Sequence, residues 1–203
     1  LDTTRLSTRA VRDGDHYVIN GRKWFSTGAM HPNAKLAIVF GVSDPSPDAD
    51  KHRKHSFILV PMDTPGVTVV RDVPIMHHHA PEGHSEVLYQ NVRVPVENIL
   101  ASEGDGFMLA QARLGPGRIH HCMRTIGQCE LALELMCERA LERRTFGKAL
   151  AENANIQDWI AQSRIEIDAA RLLMLQTAWK MDKGGAKAAR IDVSAIKVMA
   201  ARL

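Results

Sequence analysis

The sequence predicts an α+β protein: a small antiparallel β-barrel or sandwich over residues 1–103, then an incomplete antiparallel helical bundle over residues 104–203. Two changes of pattern carry that expectation. Up to Val94, β-branched and aromatic residues come in short runs punctuated by turn-forming pairs such as Asn20-Gly21 and Pro65-Gly66, the spacing of a sandwich or barrel. From Gly104 the apolar period lengthens from two to about three and a half, as in helices that share a core. The longest such stretch, Gly115 to Gly147, sets Ile119, Cys122, Met123, Ile126, Cys129, Leu133, Met136, Cys137, Ala140 and Leu141 along one helical face.

In chain order, Thr8–Arg12 and His16–Ile19 read as short strands around Asp13-Gly14-Asp15. Asn20-Gly21 reads as a hairpin turn, because both residues tolerate positive φ, with Arg22–Ser26 as the returning strand. Lys35–Phe40 is a continuous apolar run and reads as a buried strand; Ser43 to His55, with two prolines and mixed charge, reads as a solvent loop. Ser56–Val60, Val67–Val70, Glu86–Tyr89 and Val92–Val94 complete the strands. Phe107–Arg113 predicts a short helix. Gly115-Pro116-Gly117 then opens the long one, since proline belongs in a first turn, and Arg143-Arg144 with Gly147 closes it. A third helix is expected over Ile156–Met181 with Trp159, Ile160, Ile167, Ala170, Met174 and Met181 inward. Gly184-Gly185 ends it, and a fourth helix begins near Ala188 and runs on to Leu203 with no stop signal, so the chain reads as a segment of a longer protein.

Composition narrows the function. The 203 residues are 45% hydrophobic and 24% charged, with a formal charge of only +3 and 5% aromatics. That is ordinary globular composition and lacks the basic, ring-studded face of a nucleic-acid platform. No apolar run approaches the roughly 20 residues of a membrane span. The three cysteines lie seven and eight residues apart on one helix face, too far to bridge; they read as buried reduced thiols, which implies a reducing compartment.

Single motifs add little. His77-His78-His79 with His84 and Glu82 could be a metal cluster, but consecutive strand residues point alternately and no tetrahedral set is complete; a loop is the expected reading. Gly104-Asp105-Gly106 could cradle a phosphate at a helix start, although such pairs are more often turns. No nucleophile elbow, Walker loop or dinucleotide fingerprint is present.

Several segments taken in order are far more specific. Tyr17-Val18-Ile19-Asn20-Gly21-Arg22-Lys23-Trp24-Phe25-Ser26 resembles the hairpin motif of the acyl-CoA dehydrogenase family. Phe57-Ile58-Leu59-Val60 with Thr64-Pro65-Gly66, Val92 to Leu100, Gly104-Asp105-Gly106-Phe107, and Glu142 to Lys148 are similar to that family's later motifs, in its order and spacing. Leu114 to Cys122 looks closest to the branch whose animal members carry an attached phosphotransferase-like domain.

The resemblance implies an FAD-dependent oxidation of an acyl-CoA at its α and β carbons, as in fatty-acid β-oxidation. A carboxylate takes the α proton and the flavin takes the β hydride. It places Trp24, Phe25 and Ser26 against the isoalloxazine ring. It places Arg143 on the pyrophosphate of a neighbouring subunit's FAD with Phe146 beside it, and gives Gln157 a second-glutamine position at the cofactor. Gly115, Pro116, Gly117 and Arg118 match substrate-site positions. In one branch the catalytic glutamate directly precedes the arginine matching Arg118; here Gly117 stands there, so the base is expected C-terminal to Leu203 and no catalytic residue within the chain. The implied partners are acyl-CoA, an electron-transfer flavoprotein as acceptor, and further copies in a homodimer or homotetramer. The implied compartment is a bacterial cytoplasm, or a mitochondrion or peroxisome in a eukaryote. Ala154 stands where the family commonly has a flavin-contacting glutamine, which leaves a non-catalytic flavin- or acyl-CoA-binding or assembly module as the alternative.

Overall fold

The computed structural model describes residues 5–203, which divide at Ala110 into two compact units. The first holds a six-stranded sheet with strand order β4-β3-β1-β2-β6-β5. Its strands are β1 (Arg9–Asp13), β2 (His16–Thr27), β3 (Leu36–Val42), β4 (His55–Pro61), β5 (Val67–Asp72) and β6 (His84–Pro95). Pairing is antiparallel except where β1 meets β3 in parallel through Arg9 and Val42. One face buries Ala10, Tyr17, Ile19, Ile58, Val60, Val87, Tyr89 and Val92 as the core.

The sheet does not close into the expected barrel. β4 and β5 lie at opposite edges and share no ladder. The β4 edge is blunted instead by the segment after β6. Ile99 bridges to Ile58, and the Leu100 N–H donates to the Phe57 carbonyl at 2.9 Å, which hides part of an otherwise sticky edge.

The first hairpin also turns elsewhere than expected. Asp13 pairs with His16 across Gly14, and β2 then runs unbroken through Asn20-Gly21. Glycine is needed there for another reason: a Cβ at Gly21 would lie 2.6 Å from Thr8 Oγ1. β6 is likewise one strand rather than two. It carries an extra residue against Asn20, with Asn91 at φ 50° and its N–H donating to Asn20 Oδ1 at 2.8 Å. That is a β-bulge. Gly104-Asp105-Gly106 is a packed turn and not a cradle, since a Cβ at Gly104 would meet the Arg53 carbonyl at 2.4 Å and one at Gly106 the His55 carbonyl at 2.8 Å.

The second unit is helical. α1 (Gly106–Glu142) enters it at Gln111, a two-stranded hairpin of β7 (Arg144–Thr145) and β8 (Lys148–Ala149) follows, and α2 (Ala154–Ala188) and α3 (Arg190–Ala200) complete it. Phe107–Arg113 and the long helix are therefore one element, with Pro116 inside it. The remaining hydrogen bonds of 37 residues carry the one that proline removes. Helical backbone breaks at Gly185, where φ is 76° and ψ 173°. Cys122, Ile126, Leu133, Ile167, Ala170, Met174 and Ile196 form the core. Met123, Leu141 and Trp159, expected inside, are exposed, each about one helical step from the buried stripe. Glu130 ties α1 to α2: its carboxylate accepts from Arg164 Nη1 and Nη2 at 2.7 and 2.8 Å and from Arg171. Hydrogen bonding and charge from Arg164, then charge from Arg171, pull its pKa down to about 2. No helix of the described residues is long and apolar enough to cross a membrane.

Candidate functional site

The first group of predicted residues sits at an irregularity of β2. Lys23 pairs with Val87 and Ser26 with Ser85, so Trp24 and Phe25 together oppose a single residue of β6. Phe25 takes φ 56° to make this bulge. Bulges re-aim side chains and gather at functional sites, and here both rings turn outward. Trp24 is 61% and Phe25 50% exposed, and the two stack at 5.3 Å with planes 17° apart. Leaving so much aromatic surface in water is unfavourable unless something flat covers it.

Trp24 and Ser26 also line a cavity of about 660 Å3. Its wall includes residues the sequence reading passed over: Lys23, Leu36 and Ile38. Leu36 and Ile38 are 52% and 61% exposed, so β3 is not buried on both faces as its apolar run suggested. The run was itself the available signal, because a strand apolar on both faces asks for cover on both. Lys23 Nζ donates to the Phe40 carbonyl, and burial pushes its pKa down to about 8. On β4, His55 is wholly buried with neither ring nitrogen hydrogen-bonded, 5.1 Å from the Phe40 ring. Burial, then the charges of Lys54 and Lys23, hold its pKa below the ordinary 6.5.

The histidine loop engages its own neighbours. The Asp72 carboxylate accepts from His79 Nδ1 and from the His84 N–H, and His84 Nδ1 lies 2.9 Å from Thr27 Oγ1. The hydrogen bond from His79, then that from the His84 N–H, hold the Asp72 carboxyl below the usual range.

Within the second unit, Gly115 and Arg118 share a cavity of about 480 Å3 with Gln111, Arg190, Ser194 and Lys197. Three cations and no carboxylate line it, which favours an anionic occupant. Pro116 and Gly117 are on the same helix but do not line that cavity. Arg143, Phe146 and Gln157 fall separately, around the β7–β8 hairpin. The Arg143 carbonyl accepts from the Leu150 N–H at 2.9 Å, Phe146 stands fully exposed at φ 50° beside Gly147, and Gln157 Nε2 donates to the Ala151 carbonyl at 2.8 Å. The predicted residues thus form three separate groups. Among the described residues, the stacked pair at the bulge fits a planar ring, and the guanidinium and exposed ring at the hairpin fit an extended anion.

Residues 1–92 match the family described as "Acyl-CoA dehydrogenase, middle domain", and residues 104–203 match "Acyl-CoA dehydrogenase, C-terminal domain". "Probable acyl-CoA dehydrogenase FadE2" of Mycobacterium tuberculosis is 52% identical over 202 residues, covering all of this chain and 49% of that protein. "Acyl-CoA dehydrogenase family member 11" of Gallus gallus is 49% identical over 203 residues, 99% of this chain and 26% of that protein. The solved structure of butyryl-CoA dehydrogenase from Megasphaera elsdenii superposes with a TM-score of 0.78 at 30% identity, over 96% of this chain and 51% of that one. The chain spans between about a quarter and about half of the length of these relatives. With both units matched and the fold shared, the chain belongs to the acyl-CoA dehydrogenase family.

Proposed function

We propose that this chain supplies the flavin platform and part of the acyl-CoA site of an FAD-dependent oxidoreductase that turns an acyl-CoA into its α,β-enoyl thioester. The Trp24–Phe25 pair carries the reading: two nearly parallel exposed rings, beside a hydroxyl and a cavity, match the area and polarity of an isoalloxazine. Bound flavin supplies the acceptor for the β hydride. Trp24 and Phe25 cover one ring face and exclude water from it. The Ser26 hydroxyl offers a donor to the ring's polar edge. Arg143 has the planar fork that suits pyrophosphate oxygens, Phe146 packs beside it, and Gln157, its amide nitrogen already engaged, presents its Oε1. Arg118, with Arg190 and Lys197, draws the anionic coenzyme A portion, and Gly115 leaves room in the same cavity for the acyl group, with Pro116 and Gly117 next to it on α1.

The α proton goes to a carboxylate outside residues 1–203. In the assembly, Arg143 reaches the cofactor of a neighbouring copy, so the working unit is a homodimer or homotetramer, and an electron-transfer flavoprotein takes the electrons onward. The test is FAD binding and dye-coupled oxidation of an acyl-CoA panel by the 203-residue chain. FAD binding without turnover is expected. Robust turnover overturns the placement of the base, and no affinity for FAD or acyl-CoA turns the reading to an assembly module.

A further inference from the structure

Both strand neighbours of β6 bulge at one residue, Glu86. β2 sets Trp24 and Phe25 against it. β5 pairs Val69 with Val87 and Arg71 with Glu86, which leaves Val70 extra on the other side. Glu86 itself is 6% exposed. Its Oε1 accepts from Arg22 Nη1 at 2.6 Å and its Oε2 from Arg71 Nε at 2.7 Å. A buried carboxylate is tolerable only when paired in this way, and once paired it is a fixed point in the sheet. Of these two guanidiniums it is Arg71's that lies over the indole, with Cζ 6.0 Å from the Trp24 ring centroid, inside cation–π range. An exposed tryptophan otherwise samples several rotamers.

We propose that Glu86 is the positioning residue of the Trp24–Phe25 platform, acting through Arg71 to hold the indole plane in the orientation that receives the flavin. The flavin part rests on the function proposed above; the linkage from carboxylate to guanidinium to indole does not. Glu86 touches no ligand. It sets the plane, and Arg22 on its other oxygen only completes its pairing.

The chain has three tryptophans, Trp24, Trp159 and Trp179, and the last two are exposed, so Trp159→Phe with Trp179→Phe leaves Trp24 as the sole indole emitter. In that background Glu86→Gln and Arg71→Met each shift Trp24 emission and raise its quenching by acrylamide, with no further change when combined, because both break one linkage. Arg71→Lys, which keeps the cation without the planar fork, gives a smaller change of the same sign. Arg22→Met leaves the Trp24 signal unchanged. FAD affinity falls about 2- to 5-fold in Glu86→Gln and Arg71→Met, the worth of one exposed cation–π contact. Equal Trp24 changes in the Arg22 and Arg71 variants overturn the proposal. So does a lowered thermal midpoint in Glu86→Gln or Arg71→Lys with Trp24 emission unchanged, which makes Glu86 a pin of the sheet and no more. Trp24 changes as stated in a parent chain that binds no FAD uphold the linkage and sink the flavin reading alone.

Discussion

Trp24, half exposed or more, and His55, wholly buried, make opposite demands on water. In the proposed function the exposed Trp24 ring stacks on the flavin, so Trp24→Ala is expected to weaken FAD binding about tenfold, roughly the 1.4 kcal/mol that aromatic stacking supplies. Equilibrium titration followed by flavin fluorescence reads it, with Trp159→Ala as the control that leaves affinity alone. His55 is kept neutral by burial and by Lys54 and Lys23. Its folded pKa lies below the unfolded one, so the unfolded chain takes up the proton first as pH falls. The stability from keeping it neutral is therefore complete above about pH 6.5 and is lost below it. His55→Leu, which also removes two buried nitrogens without partners, flattens the thermal midpoint between about pH 5 and 7. A parent midpoint that stays constant across that window contradicts this account.

Elements show where local pattern and tertiary contact part company. The helices were legible because the 3.6 period of Cys122, Ile126 and Leu133 reports a buried stripe directly. The break in helical backbone at Gly185 was legible in Gly184-Gly185. Asn20-Gly21 misled, because the pair suits a hairpin equally well; what decides its place inside β2 is Thr8, whose side chain leaves no room for a Cβ. The bulge at Trp24–Phe25 is invisible in sequence, since it depends on the register against β6. Family resemblance named the two residues, and only the fold shows how they come to face outward. Gly66 is bound by the same kind of contact: φ is 92° and a Cβ would lie 2.2 Å from the Gln90 carbonyl. Gly66→Ala therefore destabilises the first unit by about 2–3 kcal/mol in denaturant unfolding. Pro116 works the other way. It sits inside α1 and removes one of its hydrogen bonds, so Pro116→Ala raises stability by up to about 3 kcal/mol, and a neutral or lower value contradicts a purely local cost.

At the scale of the molecule, the proposed function asks an aromatic platform of the sheet unit and cationic groups, Arg118 and Arg143, of the helical unit. Leu131, Leu135, Leu172 and Ile191 leave apolar helix surface exposed, which favours further protein against it. The whole protein is accordingly expected to sediment as a dimer or larger at micromolar concentration. A monomer that retains FAD contradicts the shared-cofactor role of Arg143. The most direct test of the central claim is an absorption spectrum of the whole purified protein, taken before and after anaerobic addition of a medium- to long-chain acyl-CoA. Flavin bands that bleach on addition are the predicted result. A flavin that stays oxidised across the acyl-CoA panel, or a protein without flavin bands, contradicts it.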